Sequence, residues 1–192
     1  YYREATPLGN AGALFKLKLT EDFFVIIGDA IFDIDFNRMV DYHRAKGGLV
    51  TLFTHPNSHP YDSGVVIADK DGIVQSWLNK EDKRPLYYKN RVNAGIQLLS
   101  PKALEMSGID AELVGTEVEG RILKVDMDRQ ILRPLCGTGK MFCYDSPEYV
   151  KDMGTPERFH QVEKDFIRGT IKAKSLRNKQ KAIFLDRDGT IN

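Results

Sequence analysis

The feature that most constrains this chain is a short, unbroken apolar run, EDFFVIIGD at residues 21–29. Alternating polarity would mark a strand with one wet face. A continuous run ending in Gly28-Asp29 is the pattern of a buried parallel strand whose carboxyl end opens into a loop. Residues 35–46 follow with Phe36, Met39, Val40 and His43 at helical spacing and stop at Gly47-Gly48, and residues 49–55 are strand-like again. Strand, helix, strand is a βαβ unit, so the expected class is α/β with a mixed, mostly parallel sheet.

Further along, the pattern turns antiparallel. Residues 63–68 and 73–78 flank DKDG at 69–72, and Asp-Gly between two alternating runs predicts a hairpin. Residues 92–99 read as a strand closed by Ser100-Pro101, with Pro at the first turn of a short helix. Residues 121–135 mix helix and loop signals, and 141–144 read as a last strand. Thr155-Pro156 is a helix start, Thr as N-cap and Pro at the first position, leading into residues 159–168. Lys172, Lys174, Arg177, Lys179 and Lys181 then occur with no acid among them, which reads as a solvated linker.

Charge and cysteine usage exclude several function classes. Lys+Arg 28 against Asp+Glu 27 leaves a net charge of +1, without the basic excess of a dedicated nucleic-acid binder. The longest apolar run falls far short of the roughly 20 residues of a membrane span. Cys136 and Cys143 make neither a disulfide framework nor a metal spacing, and read as reduced thiols in a cytoplasmic setting. His55 and His59 are four apart but Pro56 and Pro60 place them in a loop. His43 borders the helix core, and His160 is expected to be exposed.

Asp29 is the first candidate for chemistry. A carboxylate at the carboxyl end of a parallel strand faces the crevice where α/β proteins bind ligands, though such an Asp also serves as a turn residue. A second acid would complete a Mg²⁺ site, because Mg²⁺ takes one or two protein carboxylates and keeps its other positions for water and phosphate oxygens. Asp152, just before a helix start, is the candidate partner.

Four motifs, PLGNAGAL at 7–14, VIIGD at 25–29, VNAGI at 92–96 and DMGTPER at 152–158, fall in the order seen in sugar-phosphate nucleotidyltransferases. Over residues 1–168 the chain resembles that family. It looks most like bacterial enzymes that activate mannose 1-phosphate or D-glycero-D-manno-heptose 1-phosphate, and HPNSHPYDS at 55–63 strengthens the heptose comparison. The resemblance implies a Rossmann-like fold and a site assignment. Leu8 and Gly9 would lie against the base and ribose, Gly9 because a side chain would obstruct the approach. Asp29 and Asp152 would hold Mg²⁺ on the α-phosphate, and Gly64, Asn93 and Ala94 would contact the sugar. Lys80 matches the family's Glu-Lys-Pro lysine near the sugar phosphate, although Asn79 stands where the family has an acid and no Pro follows; its other reading is a solvent-facing strand end. Trp77, Tyr87 and Tyr88 line a sugar pocket or pack beside strands. In the implied reaction the sugar 1-phosphate oxygen attacks the α-phosphorus and pyrophosphate leaves in line. Catalysis is then positioning and charge neutralisation, with no nucleophilic Ser, Cys or His.

AIFLDRDGTIN at 182–192 resembles motif one of haloacid-dehalogenase phosphatases, closest to heptose bisphosphate and histidinol phosphatases. By that resemblance Asp186 is the nucleophile, Asp188 the general acid/base, and both help bind Mg²⁺. The expected division is therefore a nucleotidyltransferase domain at 1–168, a basic linker at 169–180 and the first strand of a second, haloacid-dehalogenase-like α/β domain at 181–192. The chain is expected to be an internal piece of a bifunctional protein, with the family's triphosphate loop upstream of Tyr1; Gly137-Thr-Gly-Lys140 reads as a hairpin turn. The implied partners are a nucleoside triphosphate and a sugar 1-phosphate, with no nucleic acid or membrane and with homo-oligomerisation left open. Two alternatives stand beside this reading: a mannose-1-phosphate guanylyltransferase, and a non-catalytic sugar-nucleotide binding module.

Overall fold

The computed structural model describes residues 2–57, 64–79, 81–179 and 183–184. These form two compact units, Tyr1–Gly28 with Asn37–Ser146, and Asp29–Phe36 with Pro147–Asn192. The strand elements of the first unit are β1 (Phe23–Ile26), β3 (Val50–His55), β4 (Val65–Ala68), β5 (Val74–Leu78), β6 (Val92–Leu99), the two-residue β7 (Glu117–Val118) and β8 (Arg121–Ile122), and β9 (Met141–Asp145). Its helices are α1 (Phe36–Lys46) and α2 (Pro101–Glu105). The second unit has β2 (Ala30–Asp33), β10 (Tyr149–Asp152), α3 (Pro156–Ile167) and α4 (Thr170–Lys174).

The central sheet of the first unit has the order β1-β6-β3-β9. Strands β1, β3 and β9 run in one direction and β6 runs against them, so the sheet is mixed and mostly parallel by direction. The expected βαβ unit therefore exists, but β1 and β3 are not neighbours. Strand β6 lies between them, and only β3 and β9 form a parallel pair. The expectation of a buried parallel first strand is corrected as well: among the described residues β1 is one of the two outer strands of this sheet, paired only antiparallel, with its residues half-buried and Ile26 exposed. The two-sided burial belongs to β3, where Val50, Leu52 and Phe53 are wholly enclosed, and to β6. An apolar run records hydrophobicity, not which neighbour will cover it.

The VNAGI motif is a bulge. Leu52 pairs with Gln97 but Thr54 pairs with Asn93, so β6 carries two more residues than β3 over that stretch. Gly95, at φ +76°, makes the break, and a Cβ there would lie 2.4 Å from Ile27 Cδ1. Asn93 Oδ1 accepts from Gly95 N and Gln97 Nε2, both at 3.2 Å, which pins the kink. The hairpin at DKDG forms as expected: β4 and β5 pair antiparallel, and Asp69 Oδ1 accepts from Asp71 N at 3.0 Å and Ile73 N at 2.9 Å.

In the second unit β2 and β10 pair antiparallel, Asp152 opposite Ala30 and Tyr149 opposite Asp33. Strand β2 has no counterpart in the expected elements, because four residues directly after Gly-Asp read as loop. Helix α3 starts as its sequence predicts, Thr155 Oγ1 accepting from Arg158 N at 3.3 Å with Pro156 in the first turn. Within the stretch read as a linker, Thr170–Lys174 is helical, and Ile171 is buried with Tyr149 and Val162. Leu176 N donates to the buried Glu148 Oε1 at 2.9 Å.

Candidate functional site

The second unit brings two of the expected carboxylates together. The β2–β10 register sets Asp152 across from the residue after Asp29, and Met153 N donates to Asp29 O at 2.7 Å. Both side chains then border Gly154, where a Cβ would lie 3.5 Å from Asp152 Oδ1 and 3.8 Å from Asp29 Oδ2. Asp152 Oδ1 accepts from Gly154 N at 3.3 Å and from Arg158 Nη1 at 2.5 Å. Arg158 was not among the expected site residues. Its signal was its place in the first turn of the helix that Thr155 caps, which turns it back toward Asp152. Among the described residues no group of three or more His, Cys, Asp or Glu is gathered as for a metal held wholly by protein. Two carboxylates bordering the same glycine fit Mg²⁺, which needs only one or two such ligands.

In the first unit the PLGNAGAL segment is tied to Val125, in the irregular chain after β8. Val125 N donates to Leu8 O at 2.8 Å and Ala11 N to Val125 O at 3.1 Å, while Met127 N donates to Asn10 Oδ1 at 2.7 Å. Gly9 has φ +87°, and a Cβ on it would lie 2.4 Å from Val125 O. The glycine is thus required by the chain's own backbone, a reason independent of any nucleotide. Leu8 is only 4 % exposed, its N donating to Glu4 Oε2 at 3.1 Å and its O accepting from Val125 N, so the surface this pair leaves for a ligand is that of the exposed Gly9. Gly64 lies against Trp77: a Cβ would meet Nε1 at 2.8 Å. Trp77 packs on the core at that point. Asn93 and Ala94 sit on the β6 bulge, Ala94 buried and Asn93 half-buried. Asn79 accepts from Arg133 Nη2, and its own N donates to Asp82 Oδ2 at 2.7 Å. Lys80, Asp186, Asp188 and His59 lie outside the described residues.

A charged cluster at the carboxyl ends of β3 and β9 was missed by sequence reasoning. Thr54 and Asp145 are register partners in that parallel pair. Asp145 accepts from Thr54 Oγ1 at 2.6 Å, from Arg91 Nε and Nη2 at 2.6 Å each, and from Lys89 Nζ at 2.5 Å. Burial alone would raise the Asp145 carboxyl; the Arg91, Lys89 and Thr54 hydrogen bonds outweigh it and hold the group far below the usual carboxylate range. Nothing local in the sequence links positions 54, 91 and 145.

The remaining titratable groups are built into packing. Buried His43 bonds Thr51 Oγ1 through Nδ1 at 2.7 Å and faces Asp22 Oδ2 from Nε2 at 3.5 Å; burial pushes its pKa down. Burial also raises both thiols, Cys143 to about 12. Among the described residues no helix is long and apolar enough to cross a membrane.

The model of the nucleotidyl transferase family matches residues 1–168. The chain is 30% identical over 186 residues to "Mannose-1-phosphate guanylyltransferase catalytic subunit beta" of Drosophila pseudoobscura pseudoobscura, covering 94% of this chain and 44% of that protein. It is 27% identical to the "Mannose-1-phosphate guanyltransferase" of Candida albicans, covering 87% of this chain and 42% of that one. The chain thus spans less than half the length of these relatives. Among solved structures, HddC from Yersinia pseudotuberculosis superposes with a TM-score of 0.59 at 20% identity, covering 85% of this chain and 64% of that chain. A putative glucose-1-phosphate thymidylyltransferase from Bacillus anthracis does so at 0.60 and 16%, covering 85% and 63%. These two likenesses are of fold: the α/β architecture with a mixed, mostly parallel sheet. With the family model matched along residues 1–168, the chain belongs to the nucleotidyl transferase family.

Proposed function

We propose that the protein transfers a nucleotidyl group from a nucleoside triphosphate to a sugar 1-phosphate, releasing pyrophosphate, and that the acceptor is D-glycero-D-manno-heptose 1-phosphate. The observation that carries the reading is the convergence of Asp29 and Asp152 over Gly154, two residues drawn from separate motifs of the expected order. The guanylyltransferase relatives favour guanosine triphosphate as donor.

In this mechanism Asp29 and Asp152 hold Mg²⁺, which when bound neutralises charge on the α-phosphate. Arg158, on Asp152 Oδ1, orients that carboxylate. Leu8 and Gly9 lie against the base and ribose, with the exposed Gly9 offering the surface. Asn93 has its carbonyl oxygen occupied by Gly95 and Gln97, so its amide NH₂ is the end offered to a sugar hydroxyl. Gly64 and Ala94 present little side chain and admit the ring, and Lys80 neutralises the sugar phosphate. The acceptor oxygen is itself the nucleophile, so the residues bind, orient and neutralise, and none forms a covalent bond.

The Asp186-Arg-Asp188-Gly-Thr sequence supports a second activity in the same protein, dephosphorylation of heptose 1,7-bisphosphate, with Asp186 as nucleophile and Asp188 as acid/base. Its product would be the transferase's acceptor, which favours heptose over mannose; the mannose-1-phosphate relatives favour the reverse. Pyrophosphate release across a panel of sugar 1-phosphates, with GTP and ATP, tests the assignment. Release with the heptose substrate is expected. A preference for mannose 1-phosphate would remove the heptose part only, and release with none would overturn the transferase reading in favour of a binding module.

A further inference from the structure

Residues 89–91 tie together the ends of three strands. Arg91 grips Asp145 of β9 with a two-pronged guanidinium, Lys89 closes on the same carboxylate, and Thr54 of β3 completes the set. Asn90, between them, turns to a different partner. Asn57 N donates to Asn90 Oδ1 at 3.1 Å and Asn90 Nδ2 donates to Asn57 O at 2.7 Å, holding the chain that leaves β3. Arg91 O accepts from Val66 N of β4 at 2.8 Å. The tripeptide then runs directly into Asn93 and Ala94, while Val66 lies two residues beyond Gly64.

A merely structural sheet end has cheaper solutions. The Arg91 side chain is only 7% exposed, and burying a guanidinium has a desolvation cost that an apolar pair of similar volume avoids. What a forked Arg–carboxylate pair adds over an apolar contact is fixed geometry. That geometry is applied where the start of β6 must be held against the two extra residues of its bulge. We infer that Arg91, with Asp145 as its anchor, is a positioning residue that sets Gly64, Asn93 and Ala94 for the sugar 1-phosphate. The inference rests on the assignment of those three positions to the sugar under the proposed function.

The test compares the wild-type protein with Arg91→Lys, Arg91→Met, Asp145→Asn and the Arg91→Met/Asp145→Asn double variant, in pyrophosphate release and in equilibrium binding of the preferred sugar 1-phosphate. Arg91→Lys keeps the charge and loses the fork, and circular dichroism melts identify any variant that fails to fold. Expected is a KM for the sugar 1-phosphate raised about tenfold in Arg91→Met and less in Arg91→Lys, with kcat and the KM for nucleoside triphosphate within threefold of wild type. The double variant should be no worse than the poorer single one, because the two groups act as a unit. Folded variants with an unchanged sugar KM, or with kcat lowered and both KM values raised together, would overturn the inference and leave the transferase assignment standing. Wild-type protein that neither binds nor turns over any sugar 1-phosphate would overturn that assignment first, and this inference with it.

Discussion

Replacing Gly9 by Ala should destabilise the protein whether or not a nucleotide is bound. At φ +87° an L-residue meets the steric cost of the left-handed region, about 1–2 kcal/mol. The added methyl would also sit 2.4 Å from Val125 O, 3.0 Å from Val125 N and 3.1 Å from Val125 C, all backbone atoms that cannot rotate away. The peptides must separate, and the two hydrogen bonds that flank the contact, Val125 N to Leu8 O and Ala11 N to Val125 O, are lost or stretched. At about 1 kcal/mol net for each bond, the whole change is about 3–4 kcal/mol. Urea unfolding followed by circular dichroism reads it directly. With a slope of roughly 1–3 kcal/mol per molar urea, the midpoint should fall by about 1–4 M. A midpoint within about 0.3 M of wild type, with only the KM for nucleoside triphosphate raised, would refute the packing argument and restore ligand approach as the reason for the glycine.

Asp29→Asn and Asp152→Asn are near-isosteric and should leave the melting temperature almost unchanged while raising the Mg²⁺ required for half-maximal activity by at least about tenfold; a variant whose Mg²⁺ dependence matches wild type is not a metal ligand. Burial pushes the His43 imidazole below its ordinary 6.5, so the unfolded chain takes up that proton first. Stability from this group is complete above about pH 6.5 and declines as the pH falls toward the folded value. His43→Gln should therefore lose less stability than wild type between pH 7.5 and 5.5, and equal losses would show that His43 is not the titrating group. Ile171→Ala removes a buried side chain packed with Tyr149 and Val162 and should cost about 2–3 kcal/mol in the same urea assay; a change under about 0.5 kcal/mol would mean that residues 170–174 act as a solvated linker.

The features legible in the sequence were those decided within a few residues. Thr155-Pro156 caps α3 because a side-chain oxygen and a fixed φ act on the next turn, and DKDG closes its hairpin through hydrogen bonds from Asp69 to its own neighbours. The α1 spacing was equally readable, since Met39 and His43 fall one turn apart on the buried face. Asp29 and Asp152 could be named as candidate partners from their places at a strand end and before a helix start, and the four ordered motifs strengthened the pairing, but the β2–β10 register that joins them has no local signal.

Local pattern and motif order determined the α/β class, the family and most of the candidate site residues. Tertiary structure alone decided that β6 would separate β1 from β3, that Gly9 would be held against Val125, and that Arg91 would meet Asp145. Helix caps and turns are closed by atoms a few bonds apart. A strand's neighbours and its bulge register are chosen by which distant side chains fill the same core, and that choice is made only when the whole sheet packs.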